Sequence, residues 1–546
     1  MSAMCGASVL QELSHALGAR GFAYAGMTPD GWPRFHGRLT AAGAAHAARV
    51  SVDLTGQELP RVYVDLPAGA PPVMAHVGAN GFVCYAVKGS LVLDIFDIPG
   101  QTLACLDRAA VVLDLALRGE MQQDLEDEFF AFWGGELCFL DVGPTDKSPL
   151  TVLHFEGAGL AFVTNNQERT QRKLKAMQLH GATEASVVAG IKVVSTAKPK
   201  PTQGVWPPRT VNELLRWQEL LDPKARRDME QQLLRACARR KRMALCVVKT
   251  PRTQYAFWVP LTKDQKQSPA QALATARPWL LAAKVYPMTT VRIDDDYVSQ
   301  RNTPGKTTLA GKRIALIGCG TIGGYLAELL VKAGAGLDGG ELLLVDHDIL
   351  MPQNVGRHSL GLHYALKNKA TSLKTELALG APTANLRDLP VKVQEAELGT
   401  LDLLIDATGE EGLSSQLTRR LSDSGKFVPS LTTWVEGPGV AVRALLRDSQ
   451  DQGCIRCMCK AHGEQLFPVV QGAMPDELAG HGCESLYVPF PATVSIHAAC
   501  LAADMVSDWL AGTPAPRLRT ALTRRGFIKA TEDTDVPRRE NCPACS

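Results

Sequence analysis

The chain has 546 residues, 45% hydrophobic and 21% charged, the balance of a folded globular protein. At ~100–200 residues per domain it is too long for a single core. Lys plus Arg (58) nearly cancel Asp plus Glu (56), and the resulting +2 gives no global electrostatic reason to bind nucleic acid or an anionic membrane. No apolar run reaches the ~18–20 residues of a membrane span. The N-terminal MSAMCGASVLQELSHALGARG lacks the basic region of a signal peptide and has His and Glu among its apolar residues, so a cytoplasmic protein is expected. In such a chain the 14 cysteines are expected to be thiols, metal ligands or nucleophiles rather than a disulfide frame.

In chain order, Val9, Leu10, Leu13 and Leu17 predict a helix within residues 1–20. Arg34–Thr40, Ala48–Leu54 and Leu59–Leu66 predict a three-strand meander, the last two being Val-rich with polar alternation. A Pro/Gly-punctuated stretch, AGAPPVMAHVGANGFVCYAVKGS, comes next, and helical periodicity returns over 105–121. Residues 1–124 therefore form an α+β domain. Residues 125–300 read as an α/β connecting domain, with strand-like LTVLHF, MALCVVK and YAFWVPL, a basic helix-like QERTQRKLKAMQ and a solvated ARRKR helix face. Its Pro-rich segment, 196–209, reads as a linker or an exposed loop. From residue 311, apolar strands alternate with helices, so residues 301–546 predict a Rossmann-like, doubly wound parallel sheet.

The turn after the first of those strands carries Gly318, Gly320 and Gly323 in G-x-G-x-x-G spacing. Such glycines allow a tight turn and let phosphate approach backbone N–H groups at a helix N-terminus. Asp346 ends the next strand, where a carboxylate can meet ribose hydroxyls. Alone, these features would favour NAD. Downstream, however, stand Asp348, Asn354, Arg357 and Lys369, and later Asp406 at the tip of LLIDATG. A hydride-transfer site needs no such set, whereas attack on a triphosphate requires cations for the developing charge and a carboxylate for Mg²⁺.

These residues resemble the ThiF/MoeB/ubiquitin-activating adenylation family over roughly 295–546. The resemblance implies that the C-terminal glycine carboxylate of a protein attacks ATP, giving an acyl-adenylate and pyrophosphate. It implies nucleotide contacts from Gly318, Gly320, Gly323, Asp346 (ribose), Asp348, Asn354, Arg357 and Lys369 (phosphates), and Mg²⁺ on Asp406. It also implies a homodimer, in which Arg301 is the nearest candidate for an arginine reaching into the partner subunit.

Seven cysteines lie between Cys454 and Cys545. Cys454-x-x-Cys457 and Cys542-x-x-Cys545 can offer four thiolates to one structural Zn²⁺, stapling the C-terminus to the sheet domain, and paired units at these places are typical of the same family. Cys459 complicates the first pair, and a thioredoxin-like redox pair is the competing reading. Cys483, in GHGCESLYVPFPATVSIHAACLAADM, resembles the thioester cysteine of related activating enzymes, where a following helix N-terminus favours thiolate. A buried loop cysteine is the plainer alternative, and Cys500, beside Ala498 and Ala499, reads as core.

Cys84 lies after the meander and before a helix, with His76 and Asn80 upstream. Helix, meander, loop cysteine and helix resemble the ubiquitin-conjugating fold, particularly its divergent bacterial branch. In that fold the cysteine accepts an acyl group, and a loop asparagine or histidine steadies the oxyanion; the eukaryotic His-Pro-Asn motif is absent here. The whole resembles the fused conjugating and activating enzymes of bacterial antiphage islands. The expected path runs from adenylate to a Cys483 thioester, then a Cys84 thioester, then an amide on a target amine. The activated partner would be a cGAS-like nucleotidyltransferase, as in CBASS, or a ubiquitin-like modifier, with a JAB-type peptidase possible in the same system. Two alternatives remain: a sulfur-carrier adenylyltransferase, which needs no Cys84, and a non-catalytic nucleotide-binding scaffold.

Overall fold

A computed structural model describes the chain apart from residues 1–2, 72, 79, 88, 92, 144–147, 156–158, 203–205, 262–276, 304, 306, 461–463, 481–485 and 546, and the side chains of 3–7. Two compact units are formed. The first is Met1–Phe139, Ser148–Val163 and Thr183–Val291; the second is Leu140–Lys147, Thr164–Ala182 and Arg292–Ser546.

The first unit opens with the expected helix, Ala3–Gly18, whose Leu13 and Leu17 are fully buried. It packs with the helix Ile98–Leu117 against an antiparallel sheet ordered Ala23–Met27, Pro33–Ala41, Ala44–Ser51, Arg61–Val64. Phe35, Val50 and Val62 pair across three neighbouring strands and all are completely buried, so one face of the sheet is the core. The expected meander of three strands is thus a sheet of four. The second helix begins seven residues before the expected 105, because Asp97 accepts the Gly100 N–H at 2.8 Å and Pro99 occupies the first turn.

The same unit carries a mixed eight-stranded sheet running from Thr183–Glu184 at one edge to Val188–Val194 at the other. Val188–Val194 pairs parallel with Met243–Lys249, which pairs antiparallel with Gln254–Pro260. Over it, Phe129, Trp133, Trp206, Trp217 and Tyr255 form one aromatic cluster with ring centroids 5.1–6.2 Å apart. This corrects the reading of 196–209 as a linker or exposed loop. Trp206 belongs to the cluster, Pro201 is buried, and the Lys200 carbonyl accepts Trp217 Nε1–H at 2.9 Å. Proline and glycine content marked a chain that cannot form ladders, not one that lies in solvent. The ARRKR stretch is also corrected in part: the helix Pro223–Ala238 ends at its first residue, and the basic residues form the turn into Met243–Lys249.

In the second unit the sheet order is Leu386–Leu389, Glu341–Val345, Arg313–Ile317, Leu403–Asp406, Ser430–Glu436, Ala441–Arg447, Leu518–Leu522. The first five strands are parallel and the last two antiparallel. The three central parallel strands, Glu341–Val345, Arg313–Ile317 and Leu403–Asp406, are almost wholly apolar because helices cover both faces. Thr321–Lys332 and Ala492–Leu510 pack on one face, and Glu411–Asp423 closes the other. The basic stretch at 167 is the helix Gln167–Ala176, whose Lys173 is buried between Asp141 and Asp295 (2.9 and 2.7 Å). Among the described residues no helix is long and apolar enough to cross a membrane.

Candidate active site and metal centre

The central parallel strand ends at Ile317, and Gly318 turns the chain at φ +86°, a left-handed conformation that suits glycine. Gly320 caps the helix Thr321–Lys332 with no side chain of its own, so the helix's first N–H groups face outward. Gly323 serves packing: a Cβ there would strike the Gly318 carbonyl. Asp346 binds the turn from the neighbouring strand, its Oδ2 accepting the Cys319 N–H and its Oδ1 the Asp348 N–H, both at 2.8 Å. Lys369 starts the helix Lys369–Gly380 and places Nζ 2.9 Å from Asp348 Oδ2. Burial lifts the Asp348 carboxyl, but the Lys369 hydrogen bond and charge, with His347, leave it below the ordinary carboxylate range.

Gly318, Gly320, Asp346, Asp348 and Lys369 line one cavity of about 680 Å³ at the carboxyl ends of the strands, where open α/β sheets bind ligands. Asn354 and Arg357 line a larger neighbour of about 1080 Å³ instead. The Arg357 guanidinium donates to the Val488 carbonyl at 3.2 Å and lies 4.5 Å from the Phe490 ring centroid. Phe490 borders both cavities, and sequence reasoning passed over it. Lys392, a second cation on the smaller cavity, was also missed, since it lies in a loop without motif. Asp406 is 2% exposed and sits behind Ala407 and Thr408, which do line that cavity. It accepts hydrogen bonds from Thr408 N–H, Thr408 Oγ1–H and Ser414 Oγ–H, and burial outweighs them to push its pKa up.

Cys483 lies outside the described residues. Gly480 and Leu486, on either side of residues 481–485, both line the larger cavity, as do Thr493 and His497 from the helix Ala492–Leu510. Cys500, read as core, is exposed instead: it faces away from the buried Ala498 and Ala499 on that helix.

In the first unit, Cys84 is exposed at the end of a short paired loop. Residues 81–83 bridge to the strand Arg61–Val64, with Val64 N–H on the Gly81 carbonyl (2.8 Å) and Val83 N–H on the Val62 carbonyl (2.9 Å). The Cys84 N–H donates to the His76 carbonyl at 2.7 Å. Next door, Tyr85 is buried and its hydroxyl donates to the Pro60 carbonyl at 2.6 Å. His76 is held by Asp124 through Nε2 (3.1 Å) and by Glu128 through Nδ1 (2.6 Å). Its ring is therefore already engaged, which leaves Asn80 the freer oxyanion candidate: Asn80 is exposed, with Oδ1 accepting the Phe82 N–H at 3.1 Å. Burial and then the Glu128 charge push the Cys84 thiol above its ordinary value.

The four thiols of Cys454, Cys457, Cys542 and Cys545 are all buried and lie within 4.8 Å of one another. Three of their separations are 3.6, 3.6 and 3.9 Å. A tetrahedron of sulfurs about 2.3 Å from a zinc ion has edges of about 3.8 Å, so the donor set and its geometry fit Zn²⁺. Cys459 stands apart, its thiol directed at Glu411 (3.9 Å), and does not belong to the cluster.

Comparison with known proteins agrees with both halves. The ThiF family matches residues 297–544, and the Prokaryotic E2 family B matches residues 57–137. The "ATP-dependent ubiquitin transferase-like protein Cap2" of Pseudomonas aeruginosa is 45% identical over 548 residues, covering 100% of each chain. The chain belongs to this Cap2 family. Other Cap2 proteins are more distant: that of Vibrio cholerae is 27% identical over 81% of each chain, and that of Escherichia coli 26% identical over 90% of this chain and 89% of its own. As a Cap2-family member with a ThiF domain, the protein is an ATP-dependent activating and conjugating enzyme.

Proposed function

We propose that the enzyme activates the C-terminal glycine of a partner protein and ligates it to a target amine through two cysteines. The observation that carries this reading is the convergence of uncapped helix N–H groups, Asp346, Asp348 and Lys369 on one cavity at the strand ends, in a chain that also exposes Cys84 on a separate fold. The helix N–H groups and Lys369 receive the phosphates of ATP, and Asp346 the ribose. Among the described residues Asp406 accepts three hydrogen bonds on its four lone-pair sites, and it would hold Mg²⁺ together with phosphate oxygens and water, as that ion prefers.

The glycine carboxylate attacks the α-phosphorus, forming the acyl-phosphate bond and releasing pyrophosphate. The Cys483 thiolate then attacks the acyl carbon: a C–S bond forms, the C–O bond to phosphate breaks, and AMP leaves. Cys84 takes the acyl group by thioester exchange, which regenerates the Cys483 thiol. A target amine finally displaces Cys84, losing a proton as the amide forms. Asn80 is the donor we assign to the oxyanion at Cys84, with His76 held back by its carboxylates. Arg357 and Asn354, on the larger cavity, support the incoming tail and the phosphates. The partner is a cGAS-like nucleotidyltransferase or a ubiquitin-like modifier in an antiphage system, CBASS among them, and the adenylation domain works as a homodimer. Zn²⁺ on Cys454, Cys457, Cys542 and Cys545 is structural.

The test uses purified enzyme, Mg-ATP and substrates ending in glycine, with intact mass and non-reducing gels for wild type, C483A and C84A. Reducible adducts on both cysteines, with the Cys84 adduct lost in C483A, are expected. An adduct on Cys483 that C84A leaves untouched, with amide product still formed, would remove Cys84 from the path.

A further inference from the structure

Chemistry that the relay leaves unused lies in the carboxylates beside Cys84. Asp124 and Glu128 stand 48 and 52 residues beyond His76, in the short turns after the helix Ile98–Leu117. Glu128 grips His76 twice. Its Oε2 accepts the His76 backbone N–H at 2.7 Å, while its Oε1 lies 2.6 Å from Nδ1 of the same residue. Asp124 Oδ2 meets the opposite ring nitrogen at 3.1 Å.

This grip coincides with a backbone conformation that a side chain disfavours. His76 has φ +62°, in the left-handed region. Such a residue persists where its surroundings over-determine it, which the two-point contact from Glu128 does. In that conformation the His76 carbonyl accepts the Cys84 N–H at 2.7 Å. The cysteine's own backbone thus rests on a residue that Glu128 holds in place.

We propose that Glu128 is the positioning residue of the Cys84 site: by holding His76 at both backbone and ring it fixes the carbonyl that anchors Cys84, and it keeps a carboxyl group near the thiol. The inference rests on the reading of Cys84 as the acyl acceptor. Its chemical sense is asymmetric. A carboxylate beside a free thiol discourages thiolate, so Cys84 stays quiet towards stray electrophiles; once acylated, the sulfur carries no proton to lose, and the same charge attracts a cationic amine. Among the described residues, the titratable groups around Cys84 are Glu128, His76 and Asp124 from the turn side, and Tyr85 with Cys105 from the core.

The experiment uses the full chain with iodoacetamide as the probe, and tracks Cys84 alkylation by peptide mass spectrometry as a function of pH. Glu128→Gln keeps the shape and removes the charge. The inflection of its rate profile moves to lower pH, and alkylation at pH 7 rises about threefold. In Glu128→Asp the charge stays but the reach shortens; the inflection stays near the wild-type pH, while amide hydrogen exchange at Cys84 quickens about tenfold as the His76 anchor loosens. A wild-type profile in E128Q, unchanged exchange in E128D, or an equal shift in Asp124→Asn would each overturn the assignment. Neither readout uses ATP or a substrate, so failure to find a Cys84 thioester in the relay assay is distinguishable from failure here.

Discussion

The two reactive regions are built from opposite materials. Around the nucleotide cavity the donors are backbone N–H groups fixed by a glycine turn on a parallel sheet, with Lys369 clamped to Asp348 at the rim. Around Cys84 the neighbours are side-chain carboxylates gripping a histidine, on a loop that bridges to a strand edge. On the proposed path the first environment would receive a polyanion, and the second would repel anions and draw an amine. If one chain both uses ATP and delivers an acyl group to an amine, as proposed, the contrast serves it, because phosphates and a cationic amine are drawn by opposite charges.

Removing Cys84 should break the contrast most completely. C84A is expected to abolish amide product while ATP–pyrophosphate exchange, measured with labelled pyrophosphate, continues at the wild-type rate. Loss of exchange in C84A would mean that the two regions are not chemically separable. Lys369→Ala comes next, with exchange falling about a hundredfold, the usual cost of deleting one donor aimed at developing charge. Alkylation of Cys84 should not change in this variant. Metal analysis should find one zinc per chain, and Cys457→Ser or chelation should lower the thermal midpoint by more than about 5 °C, read by calorimetry. Full thermal stability after verified zinc loss would reduce the cluster to packed thiols.

Two smaller effects sharpen the picture of the unit that bears Cys84. Trp206→Ala should cost about 2–3 kcal/mol in urea unfolding, because it empties one position of an aromatic cluster. Asp222 accepts N–H groups from Thr196, Lys224 and Ala225, and those bonds hold its carboxyl down to about 2. With a folded pKa below the unfolded one, its stabilisation is present above the ordinary carboxylate value and is lost as pH falls through about 2. Asp222→Ala should therefore cost about 1–2 kcal/mol at pH 7, and the gap from wild type should close in acid.

Legibility in the residues divides along the same line. Gly318, Gly320, Asp346 and Lys369 could be read because a strand, a turn and a helix set them at short, regular spacings, and the paired C-x-x-C units because tetrahedral ligation demands them. The strand Ala23–Met27 was not legible: its AYAGM has almost no apolar alternation, and it is held by pairing with Pro33–Ala41. Trp206 was hidden inside a Pro-rich composition, and the helix start at Ile98 behind irregular sequence. Asp124 and Glu128 could not be found at all, since nothing local ties them to a histidine some fifty residues earlier. Asn354 and Arg357 were recognised, yet adjacency in the motif hid their separation from Lys369 into a second cavity.

The cysteine cluster has one more consequence, which is topological. An ion shared by Cys454, Cys457, Cys542 and Cys545 turns the intervening backbone into a closed ring, and both Cys483 and the helix Ala492–Leu510 lie on it. A single proteolytic cut within that ring leaves two fragments that still travel together until the ion is stripped, and the unfolded chain, tied across so long a loop, has fewer shapes to lose.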